Sequence, residues 1–184
     1  MRYRETITLK DGRTCLLRNG TEQDGASVRE LFACSQEQTD NLRTYPDEVG
    51  MDDAQEGRYL QEKAESSDEI EIVAEIDGVV VGSGGIERVG SFEKVRHRAE
   101  FGVSVLKEYW GLGIGRAMTQ ACITCARKAG YAQLELDVVA DNERAIALYR
   151  DLGFVEYGRN PYGFRSRMSG WQELVLMRLE LDVS

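Results

Sequence analysis

The chain has 184 residues, 42% hydrophobic and 30% charged, the proportions of a globular protein, which exclude disordered and collagen-like chains. This length predicts one domain over 1–184, large enough to bury a core without disulfide staples. With 23 Lys and Arg against 32 Asp and Glu, the formal charge of -9 argues against a general nucleic-acid binder and weakly favours a cationic partner.

Strand-like runs at 3–9 and 13–18 flank the turn signal Asp11-Gly12. Thr21 is placed to cap a helix through about Gln36, with Val28, Leu31 and Phe32 on one face. Residues 40–68 are polar and acidic and predict a second helix near 51–65 within a surface loop. EIEIVAEI (69–76), the turn Asp77-Gly78 and VVVGSGGIERV (79–89) predict a hairpin. RAEFGVSV (98–105) predicts a strand. A helix follows from about Gly113 to Ala129, with Ile114, Ala117, Met118, Ala121 and Cys125 at helical spacing and Gly130 to end it. QLELDVV (133–139) predicts a strand, and Asp141 or Asn142 caps a helix that ends before Gly153. Residues 154–157 and 173–181 read as closing strands, whereas 160–167, polar with Gly and Pro, reads as a loop. This order implies an α+β fold with a mixed, mostly antiparallel sheet and one central βαβ crossover.

No apolar run reaches the roughly 18 residues of a membrane span, and the first residues lack the apolar stretch of a signal peptide. The expected setting is the cytoplasm, where Cys15, Cys34, Cys122 and Cys125 stay reduced. Cys122 and Cys125 form a C-x-x-C inside a predicted helix. The single histidine, His97, is far from them in sequence, so they read as packing residues rather than as a redox or metal pair, and no metal is expected.

The segment Val105–Ala117, VLKEYWGLGIGRA, joins a strand to a helix. Its three alternating glycines allow close backbone approach, and a helix start offers unpaired N–H groups and a positive dipole end. Arg116 adds a cation. Together these features predict an anion site, above all for phosphate. The spacing matches neither a Walker A loop nor a dinucleotide fingerprint.

Tyr109–Ala117 resembles the acyl-CoA pyrophosphate loop of the GNAT acetyltransferase superfamily. Residues 138–154, VVADNERAIALYRDLGF, resemble that superfamily's second signature, Asn-x-x-Ala-x-x-x-Tyr-x-x-x-Gly-Phe. Trp110 departs from the pattern, standing where many members carry Gln or Arg. The resemblance implies a GNAT-like sheet with helices on both faces, acetyl-CoA as co-substrate, and direct acetyl transfer to an amine. It implies backbone contacts to the pantetheine arm from Val103, Ser104 and Val105. It also implies a pyrophosphate cradle at Gly111, Leu112, Gly113, Ile114, Gly115 and Arg116, and a cofactor contact from Asn142, which reads equally as a helix cap.

By the same resemblance, Tyr149 protonates the CoA sulfur. Its spacing with Ala145, Leu148 and Leu152 also places it on an apolar helix face. An amine with a pKa near 10.4 is neutral in only about one molecule in a thousand at pH 7, so a proton must leave. Three carboxylates stand as candidates to take it. Glu100 lies on the cofactor strand. Asp137 matches the position of the base glutamate in ribosomal-protein alanine acetyltransferases. Glu87 ends the hairpin. Each reads equally as a surface or paired structural carboxylate. None of the cysteines is required. The acceptor is read as a small-molecule amine such as an amino acid or polyamine; a protein N-terminus and a non-catalytic acyl-CoA-binding module are the alternatives. Tyr45, Tyr59, Arg159, Tyr162, Phe164, Arg165, Arg167 and Trp171 are candidates to line the acceptor pocket or to serve a homodimer contact.

Overall fold

A computed structural model describes residues 1–48 and 50–181. Strands β1 (Arg4–Thr8) and β2 (Thr14–Asn19) lead into helices α1 (Gly25–Gln38) and α2 (Asp53–Glu65). Next come β3 (Ile70–Ile76), β4 (Val79–Arg88), β5 (Arg98–Val105), α3 (Ile114–Ala129), β6 (Gln133–Val139) and α4 (Glu143–Asp151). The edge hairpin β7 (Val155–Ser166) and β8 (Gly170–Glu180) follows. The sheet order is β1-β2-β3-β4-β5-β6-β8-β7. Every neighbouring pair is antiparallel except β5 and β6, which α3 connects as the single crossover.

The β3–β4 turn forms because Asp77 and Gly78 both adopt positive φ, 50° and 82°, which matches the twist of the strands they join. α2 starts at a capping box in which Gln55 N–H donates to Asp52 and Asp52 N–H to the Gln55 side chain. α3 stops at Gly130, whose φ of 82° is costly for any residue with a Cβ. The start of α1 differs from expectation. Thr21 opens a short 3-10 turn, its amide and hydroxyl both donating to Asp24, and the α-helix begins only at Gly25.

Helices cover both faces of the sheet. On one face, Ile70, Ile72 and Ala74 of β3 pack with Phe101, Leu134 and the buried side of α3. On the other face, Val73 and Val80 pack with Val28 and Leu31 of α1 and Leu60 of α2. Cys122 and Cys125 are buried in the first of these cores.

The segment expected to be a loop at 160–167 is strand through Ser166. β7 lies at the sheet edge, where a residue without an N–H costs no ladder bond, and Pro161 falls in the register shift between Asn160 and Phe164.

The feature that positions the site is a fork. β5 and β6 pair only from Arg98–Glu100 to Gln133–Glu135. Beyond that point β5 stays with β4 to Val105 and β6 stays with β8 to Val139.

Candidate functional site

A cavity of about 890 Å³ opens at the fork. The glycine loop and the start of α3 bound one end. The other end is bounded by α1, the 39–43 segment, α2 and the polar face of β3, β4 and β5.

At the first end, Gly111 and Gly113 have φ of 84° and 102°, and a Cβ on Gly113 would meet nothing within 4 Å. The first backbone bond of α3 runs from Ala117 N–H to Gly113 O. The amides of Ile114, Gly115 and Arg116 therefore have no partner within the helix and are available to an anion. The Arg116 guanidinium is engaged with Asp151 at 2.7 Å. The cation that sequence reasoning missed is Arg144. It stacks over Trp110 at 5.5 Å and lies 3.6 Å from where a Gly111 Cβ would be. Lys10 also lines the cavity, and its amide donates to Leu112 O, tying the β1–β2 turn to the loop. Leu112 itself packs on the core rather than lining the cavity.

Trp110, the departure from the family pattern, donates from Nε1 to Val105 O at 2.6 Å and fixes the end of β5. Arg98 O accepts from Val89 N–H and Leu106 N–H donates to Val81 O, so the even-numbered residues of this stretch direct their backbone groups to β4. By the alternation of a strand, the amides of Phe101, Val103 and Val105 face the fork, where β6 has diverged. The buried Ser104 side chain lines the cavity on the same strand face as Glu100.

Tyr149 is 8% exposed and meets Phe101 edge-on at 6.0 Å, with Phe154 beside it. Burial pushes its phenol up to about 12, so it stays protonated at neutral pH. Asn142 does cap α4, its side-chain oxygen accepting from Ala145 N–H at 3.3 Å, and it lines the cavity as well.

The carboxylates divide sharply. Glu100 and Asp137 are exposed at the cavity wall and make no side-chain hydrogen bond or ion pair among the described residues. Glu87 accepts from Tyr59 OH and from Lys63 at 2.8 Å, and these contacts hold its carboxyl below the usual range despite burial, which weakens it as a base. Glu135 is gripped by both prongs of Arg98 and is likewise held low. Glu71, which sequence reasoning passed over as an ordinary polar strand position, lines the cavity, and burial raises its carboxyl to about 7.

Of the expected acceptor-pocket residues, Tyr59 and Phe164 line the cavity. Tyr45 and Arg167 instead form a clasp. Asp40 accepts from the Ser166 and Ser169 hydroxyls, Arg167 N–H donates to Tyr45 OH, and Arg167 stacks on the Tyr45 ring at 4.2 Å. Arg159 pairs with Glu156 and Glu173, and Tyr162 and Trp171 pack on each other in the open.

The profile of the acetyltransferase (GNAT) family matches residues 27–154. The chain belongs to this family. It is 31% identical over 111 residues to the L-amino acid N-acyltransferase MnaT of Escherichia coli K12, a match covering 60% of this chain and 64% of that protein. The chain thus spans just under two thirds of that relative's length. It is 26% identical over 157 residues to the L-methionine sulfoximine/L-methionine sulfone acetyltransferase of Pseudomonas aeruginosa PAO1, covering 85% and 91%. A GNAT-family acetyltransferase from Streptococcus pneumoniae shares the fold with a TM-score of 0.86 at 24% identity, covering 91% of this chain and 99% of that one. No described helix is long and apolar enough to cross a membrane.

Proposed function

We propose that the protein transfers an acetyl group from acetyl-CoA directly to the primary amine of a small molecule, through a ternary complex. The carrying observation is the juxtaposition, in one cavity, of an anion-binding helix start, a strand with unpaired amides and carboxylates free of ion pairs. Acetyl-CoA supplies the activated acetyl group, and the residues fit it. The Gly111–Arg116 amides, with Lys10 and Arg144 nearby, suit its pyrophosphate, and the open space over Gly113 admits it.

The Val103 and Val105 amides suit the pantetheine arm and the carbonyl oxygen that gains charge in the transition state. Tyr149 holds its proton for the departing sulfur. Asn142 fixes the start of α4 and so the placement of Tyr149. Glu100 and Asp137 stand at the acceptor side with free carboxylates. No cysteine lines the cavity, and burial raises the Cys125 thiol to about 11, which supports transfer without an acyl-enzyme.

The acceptor is an amino acid or a similar small amine. Two relatives are named for acting on amino acids. Arg43 lines the cavity without an ion pair among the described residues and is available to an acceptor carboxylate. The test is thiol release from acetyl-CoA against L-amino acids, polyamines, aminoglycosides and peptides with free N-termini. Saturable release with a small amine is the expected result. Bound acetyl-CoA with no release for any amine would refute the reading.

A further inference from the structure

Three residues on neighbouring strands form a row on the acceptor face. Glu71 of β3 is in register with Gly85 of β4, and Gly85 with Gly102 of β5. The Glu71 carboxyl leans along this row, because a Cβ on Gly85 would sit 2.2 Å from its Oε2. Oε1 accepts from the Ser83 hydroxyl at 2.6 Å, while Oε2 has no hydrogen-bond donor among the described residues. A Cβ on Gly102 would meet nothing within 4 Å. The two glycines therefore leave a trough from the carboxyl to the fork. With strands about 4.8 Å apart, an amine above Gly102 is about one strand spacing from Oε2, within reach directly or through one water.

Ser35 of α1 lines the same cavity and is 2% exposed, yet its hydroxyl has no hydrogen-bond partner among the described residues. A buried, unpaired hydroxyl is costly unless a ligand satisfies it.

Resting on the acetyl-transfer reading above, we propose that the Glu71–Gly85–Gly102 trough seats the acceptor amine and that Glu71 is the residue that takes its proton. The ammonium proton passes to the Glu71 carboxylate. The freed nitrogen lone pair forms the C–N bond at the thioester carbon and the C–S bond breaks. One of the two protons left on the nitrogen reaches the sulfur by way of the Tyr149 hydroxyl, the other stays on the amide product, and Glu71 returns its proton to water. Glu71 suits this role better than Glu87, which is ion-paired through Oε1 to Lys63 and accepts from Tyr59 OH at the same oxygen, contacts that hold its carboxyl low. Its carboxyl, raised to about 7, is matched to proton transfer at neutral pH. The charged and titratable groups around it are Glu56, Tyr59 and Lys63 of α2, Glu87 of β4, Glu100 of β5, Arg43 above the cavity, and Cys122 behind the sheet.

The test compares the parent with Glu71→Gln and Gly102→Val, using L-methionine sulfone, putrescine and the other panel amines as probe acceptors. Acetyl-CoA affinity is measured by calorimetry in each protein. Glu71→Gln keeps the shape and the Ser83 contact, so it is expected to fold and to bind acetyl-CoA as the parent does. Its kcat/KM falls by about 100-fold at pH 7. The parent's loss of activity as pH drops through about 7 disappears in the variant, whose residual rate instead keeps rising as the free amine deprotonates. Gly102→Val fills open space, so it folds; it raises the acceptor KM by about tenfold or more and spares acetyl-CoA affinity. An active parent matched by an equally active Glu71→Gln with the same pH profile would overturn this inference alone. A parent that binds acetyl-CoA but acetylates no amine would overturn the reaction and the inference together.

Discussion

The two ends of the cavity are built in different ways. The end proposed for acetyl-CoA is made of backbone: strand β5, a glycine loop and the start of α3 follow one another in the chain and leave amides without partners in the fold. The end proposed for the acceptor is lined by side chains from distant parts of the chain, Ser35 and Arg43 with Glu71 and Phe164. The clasp beside it spans the chain as well: Asp40 meets Ser166 across 126 residues, and Arg167 meets the Tyr45 hydroxyl across 122. A backbone site depends on glycine positions and φ values, whereas a side-chain site depends on register and on charge pairing. The two ends should therefore fail separately.

The largest separation is expected from Gly113→Val. A β-branched residue at φ 102° is strained and projects where the pyrophosphate approaches, so acetyl-CoA affinity should fall by at least about 100-fold. Calorimetric titration of the folded variant checks this; unchanged affinity would move the anion site elsewhere. Tyr149→Phe should lower kcat by about 100-fold and leave acetyl-CoA affinity intact, because the ring keeps its contacts with Phe101 and Phe154 and loses only the proton donor. Asp40→Ala should have a smaller effect and the opposite pattern. It strips an acceptor from Ser166, Ser169 and Gln172, so the acceptor KM rises while acetyl-CoA affinity holds, and stability drops by about 1–2 kcal/mol. Steady-state kinetics and chemical denaturation separate the two effects.

The smallest expected effect is on stability alone, and it needs no acceptor. The Glu71 carboxyl is higher in the fold, at about 7, than in the unfolded chain, chiefly through burial. The proton it holds stabilises the fold fully below the unfolded pKa near 4.3, and that contribution is lost as pH rises through about 7. The cost of ionising it at pH 8 is on the order of 3 kcal/mol or less. Glu71→Gln should therefore match the parent's Tm at pH 4 and exceed it at pH 8. Equal Tm values at both pH values would mean that Glu71 ionises in the fold as freely as in water.

The same contrast explains what the sequence made legible. The β3–β4 hairpin, α3 and α4 could be read because each carries local turn or cap residues: Asp77-Gly78, Gly130 and Asn142. The glycine loop could be read because its residues are contiguous. Arg144 was missed because its approach to Gly111 depends on how α4 packs beside the loop. The strand through Pro161 was missed because tolerance of proline depends on β7 being an edge, which is a property of the whole sheet. Thr21 has the chemistry of a cap, but Asp24 draws both of its donors and shifts the helix start to Gly25. Glu71 reads as an ordinary polar position until register sets it opposite Gly85, with Gly102 next in the row. Among the candidate bases, Glu87 could be separated from Glu100 and Asp137 only once Tyr59 and Lys63 were seen to engage it.

The central claim is that both ends act together in one cavity, with acetyl passing directly from thioester to amine. The most direct measurement is the initial rate of thiol release with acetyl-CoA and the amine varied against each other. Intersecting double-reciprocal lines are predicted, since both substrates must be bound before the first product leaves. Parallel lines would require an acetylated protein intermediate and would contradict the account.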